Sequence, residues 1–355
     1  MRRFMTSVFV VAAGLLAAGC GTAWWRSATV VSGPAPVAAP KVDTDAAIAH
    51  YVKAQGLTDT EALVELSRAT RADPTLSVAH AATGDIHRRH GNAELARQAY
   101  ENACKVNPYY FKSHYNLGVV YQQLANETDD DTLFEKYLRR ACEIYLRAHA
   151  LNRKDYDTTL NLGACYFQLG RYSQAEEYCR AAIAIDDDRP QAWCNLAIIY
   201  DNQNKLAEAI DAYQQSLERE VNQPRLHMNL AASYLRQGRV RDAIGSFQMA
   251  AERDPTLIDP HLHIGVCYYR LKELDNALAS YDRAVELAPT NAEAWRGMGV
   301  VYMAMYLADK EQTECRDKAL ESWKRSLQFK PKQPDLAAMV ERYAEGTPDD
   351  EEDDE

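Results

Sequence analysis

The chain has 355 residues, of which 47% are hydrophobic and 26% are charged, a composition typical of folded globular proteins and not of disordered or fibrous ones. Lysine and arginine number 40 against 51 aspartate and glutamate residues, which gives a formal net charge of -11. Because binding to a phosphate backbone depends on basic patches, nucleic acid is not expected as a partner.

The N-terminal residues have the pattern of an export signal. Arg2 and Arg3 precede an apolar run that is too short to cross a bilayer comfortably as a permanent helix. The run ends at residues 16–20 in Leu-Ala-Ala-Gly-Cys and resembles the lipobox of bacterial lipoproteins. That resemblance implies that residues 1–19 are a signal peptide, cleaved before Cys20, and that Cys20 carries a diacylglycerol group. An ordinary secretory signal is the alternative.

Two segments outside the centre of the chain lack helical periodicity. Residues 20–42 are rich in Pro, Ala, Ser and Gly, which predicts a lipidated flexible tether. In Gram-negative lipoproteins the residue after the cysteine biases sorting, and Gly21 is not the aspartate associated with inner-membrane retention, so we expect an outer-membrane anchor facing the periplasm. Residues 346–355 finish in the acidic run Asp349–Glu355, which is typical of a solvated disordered tail, with an interaction tail as the alternative.

Residues 77–333 repeat a set of small and aromatic residues at a period of about 34 positions. Small residues at the eighth and twentieth positions allow two antiparallel helices to approach closely, and aromatic residues at the eleventh and twenty-fourth fill the seam between them. The eighth and eleventh positions are Gly84 and His87, Gly118 and Tyr121, Gly163 and Tyr166, Ala197 and Tyr200, Ala231 and Tyr234, Gly265 and Tyr268, and Gly299 and Tyr302. Such units bury a continuous core by stacking on one another.

This pattern resembles the tetratricopeptide repeat (TPR), which implies an all-α, right-handed superhelical solenoid of antiparallel helix pairs. Seven full units occupy residues 77–110, 111–155, 156–189, 190–223, 224–257, 258–291 and 292–333, after a degenerate unit at residues 43–76. Residues 334–345 have the apolar spacing of a terminal capping helix. Insertions in the units at 111–155 and 292–333 are expected to lengthen their helices, and we interpret them as neutral additions rather than partner-specific protrusions.

The sequence contains no recognisable motif for catalysis or cofactor binding. Gly-rich phosphate loops, HExxH, GxSxG and the cysteine spacing of zinc sites are absent. The histidine pairs His87/His90 and His261/His263 are interpreted as packing residues and not as metal ligands, because spacing indicates no third ligand. The chain is therefore predicted not to be an enzyme and to need neither cofactor nor metal.

One pair of cysteines is expected to be close in space. The twenty-first position of one unit faces the tenth position of the next, which brings Cys142 beside Cys165. Export would allow a disulfide between them. Thiols on packed helices often fail the geometry that a disulfide demands, so two free thiols are expected and a disulfide is the alternative.

The TPR resemblance implies a concave groove lined by the first helix of each unit. The sixth position is asparagine in four consecutive units, and these amides would pair with the backbone of an extended peptide: Asn116, Asn161, Asn195 and Asn229. The fifth and ninth positions form an apolar stripe that includes Tyr115, Val119, Leu160, Ile198, Met228, Leu262 and Val266. The stripe favours an apolar ligand segment over an acidic C-terminal tail, and its exposure would argue for a partner or for self-association.

These features predict a membrane-tethered scaffold that binds a peptide segment of an envelope protein, in the assembly of envelope, secretion or pilus machinery. A structural spacer or a self-associating scaffold without a peptide ligand is the second hypothesis. An unrecognised enzyme is the third. It is disfavoured because the repeats, cap, tether and tail account for nearly every residue.

Overall fold

The computed structural model describes residues 42–344. The predicted signal peptide, nearly all of the tether, Cys20 and the acidic tail lie outside the described residues. Within residues 42–344 the secondary structure is entirely helical, which confirms the all-α solenoid of helix pairs. The helices are α1 (Thr44–Ala54), α2 (Asp59–Ala72), α3 (Ser77–Arg89), α4 (Ala93–Val106), α5 (Phe111–Glu127), α6 (Asp131–Leu151), α7 (Tyr156–Gln168), α8 (Tyr172–Ile185), α9 (Pro190–Asn202), α10 (Leu206–Arg219), α11 (Pro224–Arg236), α12 (Val240–Arg253), α13 (Asp259–Arg270), α14 (Leu274–Leu287), α15 (Ala292–Ala308), α16 (Thr313–Phe329) and α17 (Pro334–Ala344).

Local sequence signals set the ends of these helices. Asp155 caps α7 by accepting the backbone N–H of Thr158 at 2.7 Å, which satisfies one of the free donors at a helix start. The turn between the two helices of a pair needs a left-handed residue at the same position in five units. That residue is Gly91, Gly170 or Gly238 in three of them, at φ of 73°, 73° and 78°, and Asn204 or Lys272 in the others, both at φ 60°.

Within a pair, an aromatic ring of the second helix lies directly over a glycine of the first. A Cβ atom added at Gly84 would come within 2.8 Å of the Tyr100 ring, and one at Gly118 within 2.5 Å of the Tyr145 ring. Both tyrosines have no exposed surface. The small residue at the eighth position is therefore required because the twenty-fourth side chain fills its place.

The chain divides into two compact units at Ile199 and Tyr200, inside α9, and each has its own core. The first unit contains a cluster around Leu66 on α2 and a second around Tyr156 on α7. The second unit contains a cluster around Tyr281 on α14 and another in which Leu336 of α17 packs with Trp323 of α16. In the second unit, α17 thus covers the last helix pair with its apolar side.

The two predicted insertions fall in helix pairs that are longer than their neighbours. α5 and α6 have 17 and 21 residues, and α15 and α16 have 17 each. The uninterrupted pair α7 and α8 has 13 and 14. The added residues extend the helices and leave short connections between them.

Candidate functional site

In the second compact unit, the first helix of each pair exposes one continuous stripe of side chains. On α11 the exposed residues recur at the spacing of a single helix face, and α13 and α15 repeat the arrangement. We call these side chains the open face: Arg225, Met228, Asn229, Ala232 and Arg236 of α11, Asp259, Leu262, His263, Val266, Tyr269 and Arg270 of α13, and Glu293, Arg296 and Val300 of α15. Met228, Leu262 and Val300 are half-buried, and the other members are exposed.

Several of the corresponding polar side chains of the first unit are joined to one another by hydrogen bonds. The Asp85 carboxylate accepts from the Tyr100 hydroxyl at 2.5 Å and from the Asn116 amide at 2.9 Å. The Asn161 amide donates to the Tyr115 hydroxyl at 3.4 Å. Burial, and then the bond to Asp85, raise the pKa of Tyr100 well above its ordinary value, so its hydroxyl remains a donor at neutral pH.

The predicted groove residues therefore fall into three groups by exposure. Asn116, Asn195 and Leu160 are buried, with exposed fractions of 6%, 3% and 5%. The half-buried members are Tyr115, Val119, Asn161, Ile198, Met228 and Leu262, and the exposed ones are Asn229 and Val266. The buried Nδ2 of Asn195 has no hydrogen-bond partner among the described residues. No contact among the described residues tests the amide ladder, which stays a prediction.

Arginine gives the open face a partly uncompensated positive charge. Arg236 is paired with Asp201 at 2.7 Å and also donates to the Asn204 side chain at 2.8 Å. Among the described residues, Arg270 and Arg296 have no carboxylate within ion-pair distance. Both side chains are exposed. They are therefore available to a carboxylate of a bound segment, for which guanidinium offers a two-pronged donor geometry.

The open face also carries an apolar group on α13. Val266 and Tyr269 have exposed fractions of 37% and 38%, and both belong to α13. Leu262 of α13 packs into the Tyr281 cluster, which supports this surface from below. The open face thus offers apolar contact on a rigid base and guanidinium groups beside it.

The fourth position of the repeat has a structural role. The ring nitrogen Nε2 of His80 lies 3.0 Å from the Pro74 carbonyl oxygen. Trp193 donates in the same way to the Asp187 carbonyl at 3.0 Å. In each case the acceptor lies six residues earlier, in the turn that precedes the helix. His80 and Trp193 therefore hold the turn that precedes their helix.

The two cysteines predicted to be close are neighbours in the structure. Cys142 on α6 and Cys165 on α7 are buried free thiols. Burial raises the pKa of the Cys165 thiol, and its hydrogen bond with the Cys142 thiol adds to the effect. The disulfide that export would allow stays an alternative to these free thiols.

Two further findings on residues 42–344 concern metal ions and membranes. This part of the chain has no group of three or more His, Cys, Asp or Glu side chains placed to hold a metal ion. None of its helices combines the length and the apolar character needed to cross a membrane.

Sequence reasoning did not single out several members of the open face, among them Tyr269, Arg270 and Arg296. Tyr269 and Arg270 stand at the twelfth and thirteenth positions, which the TPR resemblance also assigns to the groove. Arg296 takes a fifth position that is apolar in the units before it. A comparison of these three positions along the repeat would have identified the basic part of the surface.

Comparison with known proteins places the chain among TPR proteins. Residues 39–260 match the family described as the Cilia and flagella-associated protein 70 C-terminal domain, and residues 268–305 match the TPR repeat family. None of the curated proteins matches the sequence significantly.

Several solved structures are similar to parts of this chain, and the first named here supports the same fold. The C-terminal part of a TPR repeat-containing protein from Cytophaga hutchinsonii is 17% identical, with a TM-score of 0.60 over 72% of this chain and 97% of that one. YrrB, described as a TPR protein with an unusual peptide-binding site, is 21% identical, with a TM-score of 0.47 over 56% of this chain and 97% of its own. PilF of Pseudomonas aeruginosa is 20% identical, with a TM-score of 0.48 over 62% and 96%.

Proposed function

This chain belongs to the TPR family described as the Cilia and flagella-associated protein 70 C-terminal domain, whose repeats are scaffolds for protein–protein interaction, and we propose that it binds an apolar segment of a partner protein on its open face. The observation that carries the proposal is the exposure of Val266 and Tyr269, 37% and 38%, on a helix whose other apolar residues are packed. Apolar side chains grouped on a surface are typical of binding sites.

The first unit contributes less to this binding than the predicted amide ladder requires. The amides of Asn116 and Asn161 already donate to Asp85 and Tyr115. A peptide backbone would have to displace those bonds, whereas Asn229 on the open face is exposed. We therefore propose Asn229, with Met228, Leu262 and Val266, as the part of the predicted groove that contacts the ligand.

A photo-crosslinking experiment tests the binding surface. The full chain carries a benzophenone amino acid in place of Val266, is irradiated in native membranes, and is purified in detergent; mass spectrometry then identifies the attached segment. The control carries the same group in place of Val221, which is equally apolar and 46% exposed but lies in the turn before α11. We expect an apolar segment of one partner at position 266 and not at 221.

Two outcomes would contradict the proposal. The same set of proteins attached at both positions would mean that the open face has no selectivity. Attachment at 266 to another copy of this chain alone would support the self-associating scaffold instead.

We also propose that the chain is exported and anchored by lipid on Cys20 to the outer membrane, facing the periplasm, where its partner belongs to envelope, secretion or pilus assembly machinery. The support is the basic and apolar N-terminal sequence that ends at the cysteine. Cys20→Ala should abolish labelling by an alkynyl fatty acid and release the chain from the membrane fraction. Labelling and membrane binding equal to the parent chain would overturn this proposal and leave the binding surface untouched.

A further inference from the structure

The acidic tail and the open face carry opposite charge and belong to the same unit of the chain. The tail contributes the unbroken acidic run Asp349–Glu355. The open face contributes Arg270 and Arg296, which have no ion-pair partner among the described residues. We infer that the acidic run binds these two arginines and competes with a partner for the open face. This inference rests on the proposed function.

The helix that precedes the tail in the sequence, α17, packs on the last helix of the open face. Met339 and Tyr343 of α17 pack in one cluster with Met303 and Tyr306 of α15 and with Trp323 of α16. α15 is the helix that carries Arg296. The tail begins immediately after Ala344, the last residue of α17. Ala344, the last described residue, thus belongs to a helix that packs on the last helix of the open face.

The tail is long enough to reach both arginines. An extended chain spans at most about 3.3–3.6 Å per residue, so residues 345–355 reach up to about 36–40 Å. Neighbouring helices pack about 8–10 Å apart. Arg270 lies on α13, which packs on α15 in the Tyr281 cluster, so it is two such spacings, about 20 Å, from α17.

Charge and connection both favour this intramolecular partner. Consecutive carboxylates repel one another, and contact with guanidinium groups relieves that repulsion while forming charge-assisted hydrogen bonds. A tethered segment has an effective concentration in the millimolar range, so modest affinity is enough for occupancy. The acidic run Asp349–Glu355 has no apolar side chain for Val266 and Tyr269. A partner segment that also fills the apolar group would therefore displace it, and the tail would exclude only weak binders.

The test is a competition between the tail and a probe of the same sequence. The probe is a fluorescein-labelled synthetic peptide of residues 346–355, and its binding is followed by anisotropy at low salt because surface ion pairs are screened by added salt. The parent chain is compared with a full-length neutral-tail variant, in which the aspartates and glutamates of 349–355 are changed to Asn and Gln. We expect the neutral-tail variant to bind the probe at least tenfold more tightly, because its own tail no longer occupies the arginines.

Charge reversals in the neutral-tail background locate the site. Arg270→Glu with Arg296→Glu should abolish probe binding, whereas Arg253→Glu, an exposed position on α12, should leave it unchanged. Because these sites are exposed, helical circular dichroism should match the parent chain, and the milder pair Arg270→Gln and Arg296→Gln should weaken binding in the same direction. Equal probe affinity for parent and neutral-tail chains, or equal loss with Arg253→Glu, would overturn the inference.

The outcome separates this inference from the proposed function. One outcome is a partner crosslinked at position 266 while the parent and neutral-tail chains bind the probe equally. That result would overturn the tail inference and leave the proposed scaffold function standing. If the probe binds at the arginines but no partner segment is crosslinked at position 266, the tail inference is supported and the proposed apolar ligand is contradicted. Dimers of the parent chain that dissociate in the neutral-tail variant would overturn the intramolecular contact in favour of exchange between copies.

Discussion

The imidazole Nε2 of His114 lies 2.9 Å from the backbone carbonyl oxygen of Pro108, six residues earlier in the chain. The indole nitrogen of Trp295 makes the equivalent bond to the Pro289 carbonyl at 2.8 Å. Histidine and tryptophan thus exchange at one position of the repeat because each places a ring N–H over the turn that precedes the helix. This bond explains why both residue types occur there.

The burial of these histidines makes the stability of the fold sensitive to pH. Burial lowers the pKa of His114 and of His227 below the ordinary value of 6.5, and nearby arginines lower each pKa further, while the bonds to the turn carbonyls oppose that effect. Folding therefore favours the neutral ring. The stability contributed by the neutral ring is fully present above pH 6.5 and is lost as the pH falls below it towards the folded-state pKa.

We predict that the free energy of unfolding of the parent chain falls more steeply between pH 7 and pH 5 than that of a variant with His114→Gln and His227→Gln. Glutamine keeps a side-chain N–H donor but does not titrate. Urea unfolding at a series of pH values, followed by circular dichroism, measures the difference. Parallel pH profiles for the two chains would show that the histidines do not contribute.

The contact between Gly118 and Tyr145 predicts a large effect of a small substitution. A Cβ at Gly118 would come within 2.5 Å of the Tyr145 ring, which is fully buried and cannot withdraw. Gly118→Ala should therefore destabilise the chain by about 1–3 kcal/mol, the usual range for overpacking of a core.

Gly245 provides a matched control for this substitution. It lies inside α12, and a Cβ added there would meet nothing within 4 Å. Gly245→Ala should stabilise the chain by about 1 kcal/mol, because alanine is the better helix former. Urea unfolding of both variants provides the comparison, and destabilisation by both would indicate that the glycine-to-aromatic contact is not the cause.

Most of the fold could be predicted from the repeat, because the residue type at each position has a local physical reason. The eighth-position glycines could be read as points of close approach, and the structure places Tyr100 and Tyr145 over them. The first helices at Ser77, Phe111 and Tyr156 begin where the repeat frame places the start of their units. α13 begins one residue later than its unit, at Asp259, because Ile258 occupies the N-cap position.

The state of the groove could not be predicted in the same way. Asn116 and Asn229 occupy the same position of the repeat, yet Asn116 is bonded to Asp85 whereas Asn229 is exposed. The difference arises because Asp85 belongs to the preceding repeat. The pattern of small and aromatic positions describes one repeat at a time and does not include its neighbour. The bond between Asn161 and Tyr115 joins residues 46 apart for the same reason. Periodicity identifies candidate groove positions. Contacts between neighbouring repeats decide which of these side chains are exposed.

Lys272 provides a test of backbone conformation. Its φ is 60°, the left-handed region, at the turn position where Gly238 has φ 78°. A residue with a Cβ pays about 1–2 kcal/mol for that conformation, and glycine does not. Lys272→Gly should therefore stabilise the folded chain by about 1 kcal/mol.

The reverse substitution, Gly238→Lys, should destabilise the folded chain by a similar amount. The added side chain would meet open space, so only the energy of the left-handed backbone conformation changes. Thermal unfolding measures both variants. A loss of stability with Lys272→Gly would show that the lysine side chain makes a contact that outweighs the backbone strain.

The thiol pair gives a prediction about reactivity. Cys142 and Cys165 are buried, and burial raises the pKa of Cys165 well above its ordinary value. Because the thiolate is the reactive form, a buried protonated thiol reacts slowly with alkylating reagents. Cys315 on α16 is half-buried, so a reagent reaches it without unfolding of the helix pair. Native chain treated with iodoacetamide should therefore be modified at Cys315 long before it is modified at either member of the pair.

Peptide mass spectrometry at successive times measures the order, and the same reaction in urea, where all thiols are accessible, provides the control. Urea should abolish the difference between the sites. The measurement also tests the disulfide: exported chain in which Cys142 and Cys165 resist alkylation in urea until a reductant is added contains the bridge, whereas immediate alkylation of both in urea shows two free thiols. Alkylation of the pair as fast as Cys315 without urea would contradict the packing of α6 against α7, because a reagent cannot reach either sulfur while those helices are in contact.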